Sequence, residues 1–332
     1  MKKRLLFLTI ILTSPLLLSA KEDSRTTEDK YPYLLPIWGD KAFEKNNDLP
    51  LPIGIGINYV YNEMYLGITD FSMALNGTDL SPWLDKDAFG FQNTIATSSG
   101  VNLRIDSWIL PVLNVYGLYS EVSGSTFVSL APNLGEQQFP EFSSKVDFDA
   151  SAYGLGATLV YGYNNYFISA DINHSWTHTE LLTDQVGVLT TSGRVGRVFD
   201  LKKERRLSFY VGIMFRGFTD SDGNNGTIKL NEALPGIDKA YFDWYNELSV
   251  KEKALINGVY ALIEQGTGIE VGDGKILTGD IDYNIQKEPT QNISFQFGGQ
   301  YEFNRHWGLR GEFGMADEIK FVLVGLNYRL GF

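Results

Sequence analysis

The chain contains no cysteine. A disulfide framework, a thiol nucleophile and a lipid-anchored N-terminal cysteine are therefore excluded. Basic residues are the minority, 28 Lys and Arg against 40 Asp and Glu, and the net charge is −12. That balance argues against nucleic acid as a partner. Histidine is scarce, with only His174, His178 and His306, and no zinc-ligand spacing appears. Beyond residue 20 no stretch reaches the roughly 18 apolar residues that a membrane-spanning helix needs. If this chain crosses a membrane, it does so with strands.

What is present begins with a targeting segment. Lys2, Lys3 and Arg4 precede an apolar run from Leu5 to Leu18, and Ser19-Ala20 follows. That is the pattern of a signal peptide, 1–20, with cleavage expected after Ala20, although Leu18 is not the small residue preferred there. Loss of the three basic residues takes the mature chain to about −15. Residues 21–30 are charged and lack apolar side chains, so no structure is expected of them. From 31 to 52 the chain turns aromatic and proline-rich, with Trp38, Pro36 and Pro50.

After residue 52 the dominant signal is alternation with period two. Ile55, Ile57, Tyr59 and Tyr61 alternate with Gly54, Gly56 and Asn58. The apolar phase then slips to Met64, Leu66 and Ile68, which reads either as one long bulged strand or as a hairpin at Asn62-Glu63. Further strands are expected at about 94–105, from Leu113 through Phe127, up to Tyr163, from Ile168 to Trp176, at 185–199 and from Phe209 to Phe215. Turns are expected at Asp106-Ser107, Asn164-Asn165 and Lys202–Arg206. Near the end, Phe295, Phe297, Gly299 and Tyr301 oppose Gln296, Gly298, Gln300 and Glu302, and Trp307, Leu309 and Phe313 oppose Arg310 and Glu312.

The last stretch, 319–332, closes the series. Val322, Val324, Leu326, Tyr328, Leu330 and Phe332 fall on one face, with Gly325, Asn327, Arg329 and Gly331 on the other. This strand resembles the final strand of bacterial outer-membrane β-barrels, which carries a C-terminal Phe and apolar or aromatic residues two and four positions earlier. Glycine at 34 positions and 14% aromatics suit a barrel wall with aromatic girdles.

The resemblance implies an all-β chain: an antiparallel transmembrane barrel over 53–332, of about ten strands, in the bacterial outer membrane of a Gram-negative cell. Eleven strands would follow from a hairpin at 62–63, and twelve from a further strand at Ser125–Ala131. Short turns would be periplasmic and long loops extracellular. Residues 21–52 would then be a periplasmic lead-in or a lumen plug. Trp108, Tyr161, Tyr163, Tyr166, Tyr301, Phe303, Trp307 and Tyr328 would form the periplasmic girdle, and Trp176 would sit near the other rim. The implied partners are membrane lipid and lipopolysaccharide, the barrel-assembly machinery through the C-terminal strand, and a small solute.

One interruption, 220–291, is far longer than an ordinary connection. Ser249-x-x-Glu252 is a capping box before an amphipathic run, and Gly266 can end the helix. Tyr241, Trp244 and Tyr245 precede it, as a possible loop binding surface or as the packing that holds the insert.

Candidate chemistry is confined to the inward face. Arg104, Asp171, Arg194, Arg216, Glu302, Arg310 and Glu312 are expected to point into the lumen as a network of charges. They either brace the barrel, because unpaired charges there are costly, or form a constriction selective for a small anionic or zwitterionic solute. The expectation is a monomeric, porin-like barrel of non-enzymatic type, a narrow channel or a surface binder, with no cofactor and no catalytic residues. A lipid-modifying enzyme is the alternative, resting on His174 and His178 near the rim. His174 and Ser175 should face opposite ways, however, and no known protease or lipid-hydrolase constellation is recognisable. Asp220-x-Asp222-x-Asn224 opens like a calcium loop but has Asn225 where Gly is needed and Asn231 where Glu is needed, so no metal is expected.

Overall fold

Period-two alternation becomes long, regular strands wherever small or polar residues oppose apolar ones. The computed structural model describes residues 31–331, apart from 46, 76, 83–85, 132, 135–136, 139–141, 180–184, 220–223, 229–236, 269, 271, 273 and 275–280. The expected signal peptide, Phe332 and the calcium-like start at 220–222 lie outside them.

Ten strands close into an antiparallel barrel: β1 (Ile53–Leu75), β2 (Phe91–Leu110), β3 (Leu113–Leu130), β4 (Phe142–Tyr163), β5 (Tyr166–Thr179), β6 (Val186–Asp200), β7 (Arg206–Phe218), β10 (Ile293–Glu302), β11 (Trp307–Met315) and β12 (Ile319–Leu330). Two more strands, β8 (Asn224–Ile228) and β9 (Ile281–Pro289), belong to the long insert. Closure is made by β1, which pairs with β2 on one side and β12 on the other. Gly54, for example, stands opposite both Asp106 and Arg329.

The single strand β1 excludes the hairpin at 62–63, and the stretch Ser125–Ala131 holds the end of β3, up to Leu130, rather than another strand. The count is therefore ten. The apolar phase of β1 slips for a physical reason. Up to Tyr59 the outward residues are apolar, with Ile57 and Tyr59 more than half exposed. Above Asn62 the inward residues become apolar instead: Met64 stands beside Ile319, and Leu66 is buried. Register shifts between Ile68 and Asp70, which leaves Thr69 as a bulge. Beyond it Phe71 and Met73 pair with Ile285 and Tyr283 of β9. The strand thus passes from a wall whose apolar face looks outward to one whose apolar face looks inward, and Met73, Leu75 and Ile285 are buried there.

The insert begins and ends as part of the sheet. The strand β8 pairs with β9, and β9 takes the place beside upper β1 that β12 occupies below. The handover falls at Tyr65, whose amide donates to Glu318 O (3.1 Å) and whose carbonyl accepts from the Thr290 amide (3.1 Å). Between the two strands lie the helices Ile237–Glu247 and Val250–Thr267. Ser249 and Glu252 make the expected capping box, but the helix ends on Gly268, in the left-handed region, rather than on Gly266.

Turns alternate in length around the barrel up to the last hairpin. Pro111-Val112, Asn164-Asn165, 201–205 and 303–306 lie at one end with both described termini, and the longer connections lie at the other, together with the three-residue turn 316–318. The turn expected at Asp106-Ser107 is not there, because β2 runs on to Leu110. Asp106 has turn composition, yet it is buried and bonded to Asn114 and Arg329. Trp108 is a second correction: it lines the lumen rather than the girdle.

Outside the wall, Leu155, Ile168, Val211 and Phe295 each expose more than half of their surface. A closed barrel with this much outward apolar surface is built for a hydrocarbon surround, where every backbone group must be satisfied within the sheet.

Residues 31–52 pack across the end that carries the short turns. Ile37 donates its amide to Ile109 O (2.9 Å), and the amide of Trp108 donates to Pro52 O (2.9 Å). The side chain of Arg329 reaches Leu51 O at 2.8 Å. Asp48 accepts from Arg206 (3.2 Å) and Arg305 (2.8 Å). Tyr31 donates to Leu35 O (2.9 Å), and burial pushes its phenol above the ordinary value. Replacing Asp48 with Ala removes both ion pairs. We expect this segment to loosen while the barrel stays intact, read as faster limited proteolysis within 31–52 with unchanged heat-modifiable gel mobility. Unchanged proteolysis would mean that the backbone contacts alone hold the segment.

Candidate functional site: the charged lumen

Inside the barrel is a cavity of about 1420 Å³. Its wall is set by parity, because every second side chain of a strand points inward. On β11 this rule delivers Arg310 and Glu312, on β7 Arg206, Tyr210, Met214 and Arg216, and on β2 Arg104, Asp106 and Trp108.

Glu312 anchors the first cluster. It is only 4% exposed. Tyr210 donates its hydroxyl to Glu312 at 2.7 Å, Gln296 Nε2 donates at 3.3 Å and Arg194 at 3.5 Å. Arg310 also pairs with Glu312, and its Nε donates to the Tyr210 hydroxyl at 3.0 Å. One carboxylate thus serves two guanidiniums, from β6 and β11. Gly298 makes room for this arrangement. A Cβ there would stand 2.6 Å from the Tyr210 hydroxyl oxygen and 2.7 Å from Gly311 O, too close for any side chain.

A second cluster lies on the wall formed by β2 to β5. Arg104 stacks on the ring of Tyr116, 3.6 Å from its centroid. The Tyr116 hydroxyl donates to Asp171 (3.0 Å), as does Thr158 (2.6 Å). Arg104 also donates to Asn114 Oδ1 (3.0 Å), and Asn114 donates in turn to Asp106 (2.6 Å), which holds Arg329 (3.2 Å). At the mouth Arg206 pairs with Glu302 at 2.7 Å.

Arg216 stands apart. Its Nη1 donates to Asn62 Oδ1 at 2.9 Å. That bond joins β7 to β1, which are separated around the wall by β10, β11 and β12, so the side chain bars the lumen. Among the described residues no carboxylate lies within 4.0 Å of it.

Each of the seven inward charges read from the sequence lines this cavity, and Arg194, Arg310 and Glu312 meet in one cluster. Arg104 and Asp171 meet through Tyr116, Glu302 meets Arg206, and Arg216 meets no other member. Sequence reasoning missed Asp106, Arg206, Tyr116, Tyr210 and Arg329. The parity of β3, β7 and β12 held the signal for Tyr116, Tyr210 and Arg329, whereas Asp106 was hidden by its turn-like neighbour Ser107.

The loop aromatics have a different setting. Tyr241 is buried and its hydroxyl lies 2.8 Å from that of Tyr260, while Tyr245 donates to Asn257 at 2.8 Å. Trp244 packs against both tyrosines. The two hydroxyl contacts join the two helices of the insert, while the Trp244 contacts stay within the first. On the barrel's outer face, His174 Nε2 lies 2.8 Å from Thr219 Oγ1, and its ring packs on Trp176. Ser175, of opposite parity, does not meet it.

No protein-family model matches the chain, and no curated protein does. Among solved structures it is similar to the β domain of the Bordetella autotransporter BrkA, at 9% identity over 83% of this chain and 99% of that one, with a TM-score of 0.36. It is also similar to the translocator domain of autotransporter NalP from Neisseria meningitidis (10% identity, 87% and 92% covered, TM-score 0.36). A third likeness is to the outer-membrane protein OprG from Pseudomonas aeruginosa (8% identity, 85% and 98% covered, TM-score 0.35). At such identities and scores these likenesses do not identify what this barrel carries.

Proposed function

We propose that this chain is a non-enzymatic channel of the bacterial outer membrane, with a lumen that favours small anionic or zwitterionic solutes. The observation that carries this reading is the charged cavity itself, in which Arg104 and Arg216 lack a carboxylate within 4.0 Å among the described residues. A lumen meant only to be filled would pair all its charges or do without them. In the same reading, lipid and lipopolysaccharide surround the outward apolar belt, and the barrel-assembly machinery engages the C-terminal strand. Catalysis by His174 has less support, because its partner is Thr219 and Ser175 points away.

The test is a planar bilayer containing the refolded full-length chain under a salt gradient. We expect steady conductance and a reversal potential of the sign set by anion flow. A cation-selective current would overturn the selectivity. Absence of any current would overturn the channel and leave the charges as braces.

A further inference from the structure

Four of the inward arginines have their charge taken up by a carboxylate: Arg194 and Arg310 by Glu312, Arg206 by Glu302, and Arg329 by Asp106. Arg104 is spread over the Tyr116 ring and Asn114. Among the described residues Arg216 has one amide oxygen, from Asn62, and its Nη2 meets only the sulfur of Met214 at 3.8 Å. A thioether is a weak acceptor, and a guanidinium carries five donors. Most of this fork is therefore unused where it crosses the cavity.

The surroundings of Arg216 are unusual for a charge. Its Cζ lies 5.9 Å from the centroid of the Phe321 ring. Phe321 is the register partner of Asn62, and the next inward pair down the same two strands is Val60 and Leu323. Val60, Phe321 and Leu323, with Met214 and Arg216 itself, line the cavity. A small, fully hydrated anion would have to lose water against this apolar wall without compensation. An anion with an apolar body would place its charge on the fork and its body against Phe321, Leu323 and Val60.

We propose that Arg216 and this apolar wall form a binding site for small amphipathic carboxylates, such as an aromatic monocarboxylate, at the point where the lumen is barred. The site rests on the reading of the lumen as a solute path, and it names the solute class. The carboxylate takes the planar guanidinium in a two-pronged arrangement, in competition with Asn62, so its arrival also releases the bar.

The experiment uses the full-length refolded protein and three probes: benzoate, acetate and uncharged benzyl alcohol. Equilibrium dialysis should show benzoate bound at least about ten-fold more tightly than acetate, and benzyl alcohol weaker than benzoate by a similar factor. Arg216→Gln should lower benzoate affinity by about ten-fold or more. Leu323→Asn should bring benzoate towards acetate while acetate stays as it was. That split separates an apolar subsite from a general loss of structure. Equal binding of benzoate and acetate, or full benzoate binding by the Arg216→Gln protein, would overturn the site. The two proposals fail separately. Benzoate bound by a barrel that conducts nothing sinks the channel and keeps the site. Conductance without preference for benzoate keeps the channel and sinks the site.

Discussion

Glu312→Leu is expected to remove about 3–5 kcal/mol of unfolding free energy, because it leaves buried charge without its counter-ion. Two guanidiniums, those of Arg194 and Arg310, depend on this carboxylate, and so do the Tyr210 hydroxyl and Gln296. Leucine fills the space but offers none of the four donors an acceptor. Urea unfolding in lipid vesicles, followed by tryptophan fluorescence, reads the loss. A second substitution makes the cause visible. Adding Arg310→Met to Glu312→Leu removes one of the stranded charges, so the double variant should recover part of the loss rather than add to it. A cost for Glu312→Leu below about 1 kcal/mol would mean that lumen water already screens the two arginines.

Val211→Arg should cost about 2–4 kcal/mol, the range for a cation on the lipid face near the bilayer midplane. Val211 lies at the middle of β7, points outward and is 59% exposed. In a water-soluble barrel the same change would be nearly neutral, since the residue is already exposed. The inward substitution Leu118→Gln is the matched control. Leu118 lines the lumen cavity, and its change should cost less than about 1 kcal/mol and alter conductance instead. Folding yield into vesicles and urea midpoints measure both. Equal costs for the two variants would mean that the outer face does not meet hydrocarbon.

Much of this architecture was legible along the chain. Alternation in β7, β10, β11 and β12 needs only the pleat of a strand and a difference of solvent between its two faces. From that, the inward set Arg104, Asp171, Arg194, Arg216, Glu302, Arg310 and Glu312 could be named before any fold was seen. The strand pairing could not. Tyr210 and Glu312 are 102 positions apart, Arg194 and Glu312 118, Arg216 and Asn62 154, and Arg329 and Asp106 223. Those distances collapse only when the barrel closes, with a register that no single strand encodes.

The misread elements share one physical cause. Asp106-Ser107 looks like a turn until Arg329 and Asn114 provide partners that let a buried carboxylate continue a strand. Trp108 looks like a girdle residue until parity turns it inward. The apolar slip after Asn62, by contrast, was open in the sequence to one long bulged strand or a hairpin; it is the long strand, because β9 lies beside upper β1 and gives the inner face something to pack against.

The sequence by itself determined the period of the strands, the face of each one, and the side on which the charges stand, because alternation is a local property of an extended backbone. Tertiary structure decided between the ten, eleven or twelve strands the sequence left open, which arginines find a carboxylate, and that Arg216, among the described residues, finds Asn62 and the Met214 sulfur instead. Ion pairing across a lumen depends on which strands become neighbours and where their registers meet, and both are settled by the closed barrel as a whole.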